Sequence, residues 1–118
     1  MAEERSHLTI TNRGDVNVVK FADRNILEEL SISEIGDELS KLVAGAPGIK
    51  LLLSFENVEH LSSAALGMLI TLNKHVAENN GKLKLSDITP QILEVFKITR
   101  LNRLFGIYDT AERALSSF

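Results

Sequence analysis

"KLLLSFENVEHLSSAALGMLITLNKHVAENNGKLKLS", residues 50–86, holds a strand, a helix and a second strand in one run. Leu51, Leu52 and Leu53 point alternately to opposite sides of a strand, so "KLLLSF" predicts a strand buried on both faces. Such a strand needs helices above and below its sheet. Leu66, Met68, Leu69, Leu72 and Val76 then recur at helical spacing, which predicts a helix from about Ser63 to Asn79 with Gly81 as its stop. "KLKLS" resumes as a short strand. A strand, crossover helix and second strand of this length favour parallel pairing.

The flanking segments extend the same alternation. Upstream, "HLTITNRGDVNVVKF" alternates apolar and polar residues on both sides of Asn12-Arg13-Gly14-Asp15, which predicts a hairpin with its turn at the Arg-Gly-Asp step. Ser31 and Glu34 read as a capping box, and Leu30 and Ile35 as its hydrophobic staple. Ile32, Ile35, Leu39, Leu42 and Val43 continue the helix until Gly45 and Pro47 stop it. Downstream, Thr89-Pro90 opens a helix running to Phe96–Ile98. "RLFGIY" predicts a last strand, and Asp109 with Glu112 a capping box for a terminal helix. The predicted order is ββαβαβαβα. This is one α/β domain spanning 1–118 (core 6–116), with a mostly parallel sheet of about five strands, an N-terminal hairpin and about four helices.

Composition narrows the function classes. The 118 residues are 44% hydrophobic and 25% charged, enough for one buried core and too few for two. A net charge of −3 without a basic run argues against direct nucleic-acid binding. Having no cysteine excludes disulfides, thiolate metal sites and cysteine nucleophiles. "MAEERSHLTI" lacks an apolar signal core and no apolar run approaches eighteen residues, so a soluble cytoplasmic protein without membrane insertion is expected.

Enzyme chemistry finds no frame in the chain. A serine at a strand-to-helix turn suggests a nucleophile elbow, but the Gly-x-Ser-x-Gly pattern is absent. His7, His60 and His75 share neither helical nor strand spacing, so no metal centre is expected, and no acidic residue has a clear position to orient a histidine, so no catalytic triad is expected. Neither a Walker loop nor a dinucleotide glycine fingerprint occurs, and no cofactor is expected.

The serines of "HLSSAALG" remain. On a helical wheel at about 100° per residue, Ser63, Gly67, Thr71, Lys74 and Glu78 fall within one arc of roughly 80°, opposite the apolar face. Ser63 therefore heads a solvent-facing stripe. A serine pair before an apolar helix is commonly only a cap. A helix start also carries unpaired amides and partial positive charge, so a phosphate there is tolerated by the fold. The residues alone leave both readings open.

"FENVEHLSSAALGMLITLNKHV" followed by "GKLKLSDITPQILEVFKITRLNRLFGIYDTAERAL" resembles the STAS domain of bacterial anti-anti-sigma factors, from about residue 6 to the end and most strongly over 50–115. The resemblance implies that Ser63 is the phosphorylatable serine, with Ser62 the lesser candidate in the place of the preceding aspartate. It implies that Ala64 and Leu66-Gly67 continue the motif, and that Asp23, Ser62, Ser63, Ala64, Gly67, Thr71 and Lys74 contact a partner. Ala65 departs from the glycine usual there, and "FADRNILEEL" from the usual Gly-x-Leu-Asp stretch; Asp23 takes that aspartate's role, near Ser63 across adjacent loops.

The implied function is that of an anti-sigma factor antagonist, not an enzyme. When Ser63 is unmodified it binds a serine-kinase anti-sigma factor of histidine-kinase-like fold, and when phosphorylated it releases it. A metal-dependent serine phosphatase resets the switch, and self-association is possible. The alternative is a constitutive STAS scaffold, an accessory subunit of a lipid-transport ATPase or sensory complex without a phospho-switch.

Overall fold

The computed structural model describes residues 7–118. The hairpin forms as expected: β1 (Leu8–Arg13) pairs antiparallel with β2 (Val16–Phe21), with Arg13 opposite Val16. Only Gly14 and Asp15 remain for the loop, and Gly14 takes a φ of 66°, a conformation open to glycine at little cost. β4 (Lys50–Ser54) pairs parallel with β2 and with β6 (Lys82–Ser86), and β7 (Gly106–Tyr108) adds parallel to β6. The strand order is β1-β2-β4-β6-β7. The domain is thus a single α/β unit with a mostly parallel five-stranded sheet and an antiparallel first pair.

The helices α1 (Glu29–Ala44), α2 (Ser63–Glu78) and α3 (Pro90–Ile98) send Ile35, Leu39, Leu69, Leu72 and Phe96 into one core with Leu51, Leu53 and Leu85. The other face is covered by the short α4 (Ala111–Ser116), whose Ala114 packs with Val16, Val18 and Leu52. Leu51, Leu52 and Leu53 are all fully buried, as a strand covered on both faces requires. Among the described residues, no helix is long and apolar enough to cross a membrane.

Three local expectations are corrected. First, α1 begins before Ser31. Its cap is Glu28, which makes no side-chain cap bond; Leu30 is 71% exposed rather than stapled, and Glu34 bonds to His7. The cause is a two-stranded parallel ladder the sequence did not announce, β3 (Asn25–Ile26) with β5 (His60–Leu61). It fixes the chain just ahead of α1, so tertiary pairing overrides the local capping signal. Second, α4 is capped by Thr110, whose hydroxyl accepts the Arg113 amide, not by Asp109. Third, "RLFGIY" is a strand only in its second half: Arg103 closes a 3₁₀ turn over Leu101–Arg103, and only Gly106–Tyr108 pair with the sheet. The end of α2 is as expected, at Glu78 with Asn79 as its cap, and the left-handed residue that follows is Asn80. Gly81 is required for closeness, since a Cβ there would lie 2.6 Å from the Ile49 carbonyl oxygen.

Candidate functional site at the start of α2

The ladder between β3 and β5 places the serine pair. Beyond Leu61, the Ser62 amide donates to the Ile26 carbonyl at 3.1 Å, so the chain enters α2 alongside the segment leading into α1. Ser62 is the N-cap in extended geometry, and its Oγ accepts the Ala65 amide at 3.1 Å. Ser63 is the first helical residue and is exposed; its hydroxyl makes no hydrogen bond to any described residue. One serine builds the helix start and the other stands free on it.

Gly67, Thr71, Lys74 and Glu78 continue from Ser63 as an exposed stripe, as the wheel predicted, and Ala64 is exposed beside it. Ala64, Gly67 and Thr71 line a groove of about 320 Å³ whose other wall is Ser33, Gly36, Asp37 and Ser40 of α1. Small residues let the two helices approach: a Cβ on Gly36 would meet Met68 Cγ at 3.2 Å. Ala65, at the departure from the family pattern, is fully buried, so its methyl belongs to the core and not to this surface.

Asp23 is not brought to the serine. The ladder pairs Asn25 with His60 and Ile26 with Leu61, so Asp23 lies beyond one end and Ser63 beyond the other. Asp23 instead bonds His7 Nδ1 at 2.7 Å, while His7 Nε2 bonds Glu34 at 2.8 Å. The Glu34 hydrogen bond raises the His7 pKa above its ordinary value; partial burial opposes this and Asp23 supports it. The result ties the head of β1 to the β2–β3 connection and to α1. His60 is exposed on β5, and its side chain hydrogen-bonds to no described residue. Among the described residues, no group of three His, Asp or Glu side chains could hold a metal ion.

Sequence reasoning missed the residues that flank the serine. Leu27 follows the Ile26 carbonyl to which Ser62 donates, and is 50% exposed. Leu30 lies one turn before Ser33 on the same side of α1. Exposed Glu28 and Glu29 stand between the two leucines. The signal was present in "ILEEL", where two leucines three apart precede the first buried position of α1; reading Leu30 as a staple concealed it.

Comparison with known proteins agrees with this architecture. A TM1081 homolog of Thermotoga neapolitana, provisionally named an anti-sigma factor antagonist, is 35% identical over 66 residues, covering 56% of this chain and 58% of that protein. The chain thus spans just over half the length of the curated relatives it matches. An anti-sigma-factor antagonist (STAS) domain protein from Planctomyces limnophilus superposes with a TM-score of 0.85 at 24% identity, over 93% of this chain and 96% of that one. The Bacillus protein SpoIIAA has the same fold in both of its solved states. Its unphosphorylated form gives a TM-score of 0.69 at 15% identity, over 93% of this chain and 94% of that one. Its phosphorylated form gives 0.70 at 16%, over 93% and 97%. The family described as STAS domain matches residues 12–114, nearly the whole described fold, and the chain belongs to that family.

Proposed function

We propose that this protein is an anti-sigma factor antagonist whose docking surface is switched by phosphorylation of Ser63. The observation that carries the reading is the division of labour at the helix start: Ser62 is spent on the cap, and the Ser63 hydroxyl is exposed and unbonded. A kinase can reach that oxygen without unfolding anything. Its attack on the γ-phosphorus of ATP transfers the phosphoryl group, releasing ADP and the hydroxyl proton.

The added group carries about −1.5 to −2 charges. It meets the free amides of the first turn of α2, where an anion is favoured by about 0.3–1 kcal/mol at an exposed site. The fold therefore tolerates it. The docking surface does not. A partner seated over Leu27, Leu30 and the Ala64–Gly67–Thr71 stripe would have to strip water from a dianion beside apolar side chains and beside Glu28 and Glu29, and burying a charge without a partner is costly.

The proposed partner is a serine-kinase anti-sigma factor of histidine-kinase-like fold, bound by the unmodified form in the cytoplasm and released after phosphorylation. A metal-dependent serine phosphatase reverses the step. In this cycle the chain is ligand and substrate, and its own residues catalyse nothing. Relatives named as anti-sigma factor antagonists, and the solution of SpoIIAA in phosphorylated and unphosphorylated forms, support the reading. The test is a binding assay with the purified kinase: Ser63→Ala binds and stays bound when ATP is added, and Ser63→Asp binds weakly with its fold intact. Equal binding by wild type, Ser63→Ala and Ser63→Asp would favour a constitutive scaffold.

A further inference from the structure

Two exposed apolar patches of opposite charge lie toward opposite edges of the sheet. The first is the amino end of α1, where Leu27 and Leu30 stand among Glu28, Glu29 and, two turns on, Asp37. From residue 25 to residue 40 the chain contains no basic residue. None of these three carboxylates has an ion-pair partner among the described residues.

The second patch is the corner formed by the end of α3 and the 3₁₀ turn. Val95, Ile98 and Leu104 are exposed there, Ile98 by 74%. They are interleaved with exposed Lys97, Arg100 and Arg103, which are likewise unpaired among the described residues. Between Glu94 and Asp109 the chain has no acidic residue. A basic corner in a chain of net charge −3 is a local concentration against the average.

The two patches cannot meet within one molecule. Glu34 of α1 bonds His7 at the head of β1, so α1 lies at the β1 side of the sheet. The 3₁₀ turn packs on β7, the opposite edge strand. We propose that they meet between molecules: the acidic leucine end of α1 in one copy docks on the basic α3–3₁₀ corner of a second copy. Each side offers two or three apolar side chains that lose water on contact, ringed by charges of opposite sign that fix register and speed encounter.

Because the two surfaces differ, a contact made once between two copies is head-to-tail and leaves a free patch on each, from which association grows into a ring or an open chain. Leu27 borders the Ser62–Ile26 hydrogen bond, so the contact also covers the flank of the serine mouth and competes with any partner docking there. The contact requires no phosphate on Ser63.

Sedimentation velocity of the full chain at low ionic strength tests it. Wild type is expected to show a sedimentation coefficient that rises from micromolar to millimolar concentration and falls back when salt is added. Glu28→Arg/Glu29→Arg and Arg100→Glu/Arg103→Glu are each expected to stay monomeric with unchanged circular dichroism. Mixed in equal amounts, they are expected to associate again, because the acidic α1 end of one variant meets the basic corner of the other, and the two reversed surfaces are of opposite sign as well. A monomeric wild type throughout that range would overturn the proposal. So would association that survives either charge reversal, or a mixture of the variants that does not pair.

Discussion

The Ser62 hydroxyl accepts the Ala65 amide at 3.1 Å, and that bond separates the roles of two adjacent serines. Ser62 satisfies one of the orphan donors at the start of α2, while the Ser63 hydroxyl bonds to no described residue.

The separation is measurable as stability. Ser62→Ala is expected to cost about 1 kcal/mol, as loss of a serine cap commonly does. Ser63→Ala removes no hydrogen bond and is expected to leave stability within about 0.5 kcal/mol of wild type, the ordinary range for surface changes. Urea denaturation of the two variants, at unchanged m-value, checks both.

A negative charge at position 63 acts on the same helix with the opposite sign. Ser63→Asp places a carboxylate at the first helical residue of α2, near the positive end of its dipole, and is expected to raise stability by about 0.3–1 kcal/mol at low salt. Thermal unfolding at low and high ionic strength reads the effect, which shrinks as salt screens it. A destabilised variant would show that the fold does not tolerate charge there.

His7 predicts a pH dependence. Its folded-state pKa is raised, first by the hydrogen bond to Glu34 and further by Asp23. The stabilisation from this bridge is therefore fully present below the unfolded value of about 6.5 and is lost as pH rises through the higher folded value. Compared with His7→Ala, wild type gains its full margin at mildly acid pH, and the margin narrows toward alkaline pH. Denaturation of both proteins across that range measures it.

Gly81 marks a place where the backbone admits no side chain. A Cβ at this position would approach the Ile49 carbonyl oxygen to 2.6 Å and Val76 Cγ1 to 3.1 Å. Gly81→Ala is expected to cost roughly 1–3 kcal/mol, the range of overpacked substitutions, visible as a lowered midpoint in thermal unfolding.

How much of this was legible beforehand depended on where the deciding interactions lie. The buried leucines 51–53, the Thr89-Pro90 start and the glycine hairpin are written in local sequence, because burial period and turn chemistry act over a few residues. The Ser31–Glu34 box was a valid local signal that lost to a distant one: Asn25 and Ile26 pair with His60 and Leu61, thirty-five residues away, and set the entry to α1. The same pairing carries Asp23 away from Ser63 and into the His7 bridge. The polar stripe from Ser63 to Lys74 followed from helical period alone. The groove beside it did not, since its other wall belongs to α1 and no period within one helix reports the neighbour it packs against.

The account turns on a single oxygen atom. Incubating wild type with the purified anti-sigma kinase and ATP, then locating the modification by intact mass and peptide fragmentation, tests it most directly. One phosphate on Ser63, with kinase affinity falling as it accumulates, is the expected result. A phosphate on Ser62, or a Ser63 phosphate that leaves kinase binding unchanged, would contradict it.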